Sequence, residues 1–381
     1  MRAVVAVAVG VGLLLAGPAP VGAGQITLED DVDRVLVLSV PTVSWGDIRA
    51  GELPNLEQLL AESAVADLST RAVDRRTTPG DGYATISAGT RSDGVRDVDG
   101  LGFGVGETYL GTPAEEIFAR RTGQLPTEGL FSLALPQLQR ENEALDFGAE
   151  IGALGDAVRD AGWSTAVVAN ADGVEQGVGV GFGRTAVVGL MTSDGTVDDG
   201  AVGPALLVED PIAPFGQRLD EDAVVEAFEG VWTDRSVVMV EASDLVRADA
   251  YRERATDDQR RAQREDALAA TDALIGRLLE DVDPERDAVL TVGPHHRAAE
   301  GHLTIAALRA PGIEPGLMKS ATTRRTGYVT LVDVAPTIID LVGGERPSSM
   351  EGRAFERSAT GGTAEDRVEL LADSDERAQW R

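Results

Sequence analysis

The sequence predicts an α/β fold, a doubly wound and mostly parallel sheet with helices on both faces. Short, nearly continuous apolar runs bounded by polar residues read as strands buried on both sides. Segments of helical periodicity alternate with them, which is the pattern of repeated βαβ units. A composition of 43% hydrophobic and 26% charged residues supplies the apolar surface for a core of that size.

The elements follow in order. Val35-Leu36-Val37-Leu38-Ser39-Val40 is the first central strand. Leu53, Leu56, Leu59 and Leu60 recur at helical spacing among polar neighbours, and Val65 to Leu68 is the next strand. Ile151 to Ala161 reads as a helix before the strand Ser164 to Ala169, and Val224 to Trp232 as a helix before Ser236 to Glu241. Asp257 to Val282 is the longest helix, with Leu268, Thr271, Leu274, Ile275, Leu278 and Leu279 on one stripe. Ala288 to Val292 and Leu303 to Leu308 are further strands. Asp333 is placed to cap a final helix, with Pro336 in its first turn and Gly343-Gly344 beyond its end. Gly100 to Gly106 and Gly177 to Gly183 lack the full phosphate-loop spacing and read as flexible connecting loops.

Three segments divide the 381 residues. Arg2, the apolar run Ala3 to Ala16, and the small-residue exit through Val21-Gly22-Ala23 describe a secretory signal over residues 1–23. That apolar run is short beside the roughly 20 residues a membrane-spanning helix needs. Residues 24–345 form the α/β domain. From Arg346 to Arg381 few large apolar residues remain, and a flexible tail is expected. The chain is therefore expected to be exported, either extracellular or associated with the cell envelope.

Charge and cysteine content exclude several functions. Lys and Arg number 34 against 64 Asp and Glu, a net charge of −30, so nucleic acid is not an expected partner. Without cysteine there are no disulfides, thiolate metal sites or thiol nucleophiles. A metal would need Asp, Glu, His or hydroxyl ligands.

Three constellations carry the candidate chemistry. All three histidines, His295, His296 and His302, lie together after a predicted strand, with Glu300 between them, as metal ligands or as a solvated loop. Arg75-Arg76-Thr77-Thr78-Pro79-Gly80-Asp81 sets hydroxyls beside arginines at a helix start, suiting attack on phosphorus or sulfur with Thr77 and Asp81, or merely turn chemistry and capping. Glu241 to Asp249 runs from a strand end into acidic residues, where Asp244 either binds metal or caps a helix and pairs with Arg247.

Taken together, these pieces resemble the alkaline phosphatase superfamily, which includes nucleotide pyrophosphatases, phosphoglycerate mutases and sulfatases. The resemblance covers roughly Arg34 to Gly352 and rests on Val35 to Trp45, Pro54 to Leu60, Thr77 to Pro79, and Asp333-Val334-Ala335-Pro336-Thr337 with Gly352-Arg353. Pro311-Gly312 to Tyr328 also resembles a group of uncharacterised actinobacterial envelope proteins. The resemblance implies two metal ions held by Asp and His around a Ser or Thr nucleophile. Here Pro41-Thr42 stands for the family's Asp-Gly, Ala248 for a histidine after Asp244, and Pro294 for an aspartate before His295. What survives is Thr77, or Thr78 in its place, with Asp81, Asp244, His295 and His302. That set implies at most one divalent metal, Zn, Mn or Ca. Two functions follow as expectations. One is a pseudoenzyme serving as a binding or scaffold module, whose partner is an envelope or membrane protein. The other is a metal-dependent hydrolase of small anionic phosphate or sulfate esters.

Overall fold

The computed structural model describes residues 32–74, 76–96, 98–175, 179–297 and 303–379. Ten strands form the central sheet: β1 (Arg34–Ser39), β2 (Ala64–Ser69), β3 (Ser164–Val168), β4 (Asp199–Ala201), β5 (Ser236–Glu241), β6 (Asp287–Val292), β7 (Thr304–Arg309), β8 (Gly316–Ser320), β9 (Tyr328–Thr330) and β10 (Phe355–Ala359). Their spatial order is β4-β3-β5-β1-β6-β7-β2-β9-β8-β10. β1 runs parallel to both β5 and β6, in register Val35↔Val237 and Val35↔Ala288. β7 is antiparallel to β6 and to β2, and β10 is antiparallel to β8, so the sheet is mostly parallel.

Helices cover both faces, as the apolar runs require. Val35 and Val37 of β1 pack with helices Pro79–Ala88, Ala153–Asp160, Ala186–Leu190 and Val334–Leu341. Leu36 and Leu38 point to the other face, under helices Pro54–Ala61, Glu221–Val231 and Asp257–Leu279. Helix Pro79–Ala88 is buried from Gly80 to Ala88, and a side chain at Gly82 would meet the Pro294 carbonyl at 2.5 Å. That approach, open only to glycine, seats the helix against the loop after β6.

The structure corrects three expectations. Residues 346–379 are not a flexible tail: they supply β10, with Phe355 fully buried, and helix Ala364–Gln379, with Leu371 and Ala372 buried. Arg367 of that helix donates to the Ala61 carbonyl at 2.8 Å, fixing it to the domain. A few well-placed apolar residues and one buried cation order a segment whose average composition is polar. Next, Gly102–Gly104 is a strand, paired with Leu130–Ser132, and Phe103 between its glycines packs with Phe118 and Phe131. Gly179–Gly181 pairs with Gly173–Glu175, while residues 176–178 lie outside the described residues. Finally, Asp333 makes no side-chain cap for Val334–Leu341. Its buried carboxylate instead accepts from Ser320 Oγ (2.7 Å), Thr322 Oγ1 (2.5 Å), Thr330 Oγ1 (2.8 Å) and the Arg353 N–H (2.9 Å). The Asp-Val-Ala-Pro-Thr segment thus ties β8, β9 and the approach to β10 together.

Candidate functional site

The carboxyl ends of β3, β5, β1 and β6 lie side by side, where open α/β sheets place their ligands. Polar side chains there form one continuous buried network. The Tyr83 hydroxyl donates to Glu241 Oε2 at 2.5 Å, and Ser39 Oγ lies 2.7 Å from the same hydroxyl. Tyr83 has a single proton, so Ser39 is the donor in the second bond. Ser243 Oγ donates to Glu241 Oε1 at 2.6 Å and accepts from the Asn170 N–H at 3.1 Å. Arg247, only 1% exposed, donates to the Asn170 carbonyl and to Asp244 Oδ1 at 2.5 Å. Burial raises the Glu241 carboxyl above its ordinary range, against the lowering by Ser243, Tyr83 and Arg247. Tyr83 is pushed well up by burial and by the Glu241 charge.

A second buried cluster braces this one. Asn170 Oδ1 accepts from the Asp172 N–H at 2.9 Å, and Asp172 pairs with Arg184 (2.9 Å), which also grips Glu107 (2.8 Å). The Arg184 guanidinium lies over the rings of Phe103 and Phe182.

The expected site residues Thr77, Asp81, Asp244 and His295 each have a definite place. Thr77 Oγ1 donates to the Thr70 carbonyl at 2.6 Å and accepts from the Ala72 N–H at 3.3 Å, closing its own loop. Thr78 and Asp81 form a capping box on helix Pro79–Ala88, and Asp81 Oδ1 also accepts from the Gly94 N–H at 2.9 Å. Burial raises the Asp81 carboxyl, with those backbone donors opposing. Asp244 accepts from the Leu219 N–H at 3.1 Å besides Arg247. His295 is buried, its Nε2 has no hydrogen-bond partner, and burial lowers it to about 4. It is therefore neutral at pH 7. His302 lies outside the described residues. No hydrogen bond or ion pair joins Thr77, Asp81, Asp244 and His295 to one another.

The described site residues, Thr77, Asp81, Asp244 and His295, do not fit a divalent metal centre of the kind the resemblance implies. Asp244 is turned onto a guanidinium and a backbone N–H, Glu241 already accepts two hydroxyls, and the cation beside them is Arg247. Among the described residues no three His, Asp or Glu side chains converge as a ligand set.

Tyr83, Ser39, Asn170 and Thr42 were missed from sequence. Thr42 follows β1 with φ 66°, a left-handed conformation that costs a β-branched residue strain energy. Its N–H donates to the His295 carbonyl at 2.9 Å, while Arg264 donates to its Oγ1 (2.5 Å) and its carbonyl (2.9 Å). Arg264 also reaches Asp47 Oδ2 at 3.1 Å, and Arg297 lies 3.7 Å from Asp47 Oδ1. Asp47 is held below the carboxylate range by Arg264, the Ser44 donors and Arg297, which outweigh its burial. A tyrosine among the small residues of Gly80 to Ala88 was the one signal that could have revealed Tyr83.

The chain is similar in fold to solved structures of alkaline phosphatase superfamily proteins. One is a superfamily member from Vibrio parahaemolyticus, at 14% identity and a TM-score of 0.49, covering 85% of this chain and 69% of that one. Another is the phosphonate monoester hydrolase of Silicibacter pomeroyi, at 12% identity and 0.48, covering 84% and 75%. The lipoteichoic acid synthase LtaP of Listeria monocytogenes gives 10% identity and 0.45, covering 91% of each chain. No protein-family model and no curated protein matches the chain.

Proposed function

We propose that this is an exported phosphatase-like domain converted from catalysis to binding, a pseudoenzyme that serves as a recognition or scaffold module of the cell envelope. One observation carries the reading: a buried guanidinium, Arg247, pairs with Asp244, the carboxylate that the resemblance implies as a metal ligand. Around it Ser39, Tyr83, Glu241, Ser243, Asn170 and Asp244 satisfy one another, with the Arg247 Nε buried and unpartnered, so a ligand entering there would have to break several of these bonds. Thr77, the surviving nucleophile candidate, spends its proton on the Thr70 carbonyl. The residues 1–23 expected to direct export lie outside the described residues, and no helix among the described residues is long and apolar enough to cross a membrane.

Metal content by plasma mass spectrometry, together with turnover of aryl phosphates and aryl sulfates, tests the proposal. The expected result is no stoichiometric Zn, Mn or Ca after dialysis against each ion, and no turnover that Thr77→Ala abolishes. About one metal per chain, lost in His295→Ala and accompanied by chelator-sensitive hydrolysis, would overturn it in favour of a metal-dependent esterase.

A further inference from the structure

Beside the strand-end network lies an open cavity of about 400 Å³, between helix Trp45–Arg49, helix Ser243–Tyr251 and helix Asp257–Leu279. None of the network side chains lines it. Arg252, Arg260, Arg261, Arg264 and Arg297 do. They share the wall with four carboxylates, five positive against four negative, in a chain that carries 34 basic and 64 acidic residues. Five guanidiniums gathered on one wall of so acidic a chain offer donors to an anionic ligand.

The arginines differ in how they are held. Arg264 is fixed by Thr42 and Asp47 and its Nε is buried without a partner, so its fork is a rigid part of the wall. Asp47 is shared between Arg264 and Arg297, one carboxylate against two guanidiniums. At the rim, Arg260 and Arg261 form ion pairs with Asp257 and Asp258 on their own helix, acids whose side chains are 84% and 92% exposed, and Arg260 Nε also donates to the Arg252 carbonyl at 3.1 Å. Such exposed pairs are worth little and can exchange for a better anion. The remaining wall is apolar: Leu53 and Ala248 are buried and Leu268 is half-buried beside Ala50 and Ala269.

We propose that this cavity binds a small amphiphilic oxyanion, a phosphate, sulfate or carboxylate group carried on an apolar body, with the anionic group on the rim arginines Arg260 and Arg261 and the apolar body along Leu53, Ala248 and Leu268. Guanidinium forks suit oxyanions that accept two parallel bonds. The volume lies within the range of small-molecule sites. The proposal is independent of whether the neighbouring network is catalytic.

Calorimetric titration of the full chain with hexyl phosphate tests it, with inorganic phosphate and hexanol as the two halves of the probe. Hexyl phosphate is expected to bind once per chain, about tenfold or more tighter than inorganic phosphate, and hexanol not measurably. Because Arg264 also holds the Thr42 turn and Arg260 donates to the Arg252 carbonyl, the variant used is Arg261→Gln, whose side chain is 66% exposed; it should weaken hexyl phosphate about fivefold while leaving the melting temperature unchanged. Vesicles carrying phosphatidic acid form the second arm: competition with hexyl phosphate identifies a lipid headgroup as the source, and its absence a free amphiphile. Equal affinity in wild type and variant, or inorganic phosphate binding as tightly as hexyl phosphate, would overturn the proposal.

Discussion

Replacing Asp67 by Asn should stabilise the protein, and by an amount that depends on pH. Asp67 sits in the middle of β2, fully buried, facing helix Ala364–Gln379. Neither of its carboxylate oxygens has a well-formed hydrogen bond. Burial raises it from 3.8 to about 7; Ser374 of the helix and Arg325 pull it down less than burial and the Asp375 charge push it up. The difference between those two values corresponds to about 4 kcal/mol. In the unfolded chain the group ionises near its ordinary value, whereas the folded protein keeps the proton up to about pH 7. Its stabilising contribution is therefore complete below pH 3.8, falls as pH rises towards 7, and is lost above that. Asn has the same shape and never ionises. Urea melts of wild type and Asp67→Asn should nearly coincide at pH 4 and differ by up to about 4 kcal/mol at pH 8, with the variant the more stable. A difference independent of pH, or a variant less stable at pH 8, would refute the assignment of a buried, poorly satisfied carboxyl under the last helix.

Two further substitutions test the strand-end network. Arg247→Met leaves Asp244 and the Asn170 carbonyl without their cation and should cost about 3 kcal/mol in denaturant melts; a loss below about 1 kcal/mol would show that the guanidinium is dispensable. Tyr83→Phe keeps the ring but strips Ser39 and Glu241 of their shared hydroxyl, an expected loss of about 1 to 3 kcal/mol by thermal unfolding, with no cavity to add to it.

The sheet was legible because burial on both faces writes continuous apolar runs. Val35 to Val40, Ser236 to Glu241 and Ala288 to Val292 could be placed within a residue of the observed strands. Direction was not: nothing in Leu303 to Leu308 says that β7 runs antiparallel, since a strand buried on both sides reads alike in either sense. The C-terminal segment was missed because composition averages over residues, whereas its order depends on Phe355, Leu371, Ala372 and Arg367 each reaching a particular partner. The site was half legible. Asp244 and Arg247, three residues apart, announced a possible ion pair, and Thr78 with Asp81 announced a capping box. Tyr83 meets Glu241 across 158 positions of sequence, and only the fold brings them together. Thr42 was half legible: it stands for the family's glycine, but a threonine gives no sign that the chain there keeps a conformation suited to glycine.

The strand order also sets a timetable for synthesis. β1 is made before its two neighbours, β5 and β6, which lie about 200 and 250 residues later, and β2 waits for β7 beyond residue 300. Until those segments arrive, two buried strands stand with open hydrogen-bonding edges. Closing such distant pairings is slow, and unpaired edges are the places where chains stick to one another. A growing chain of this topology depends on being kept apart from its copies until β7 has been made.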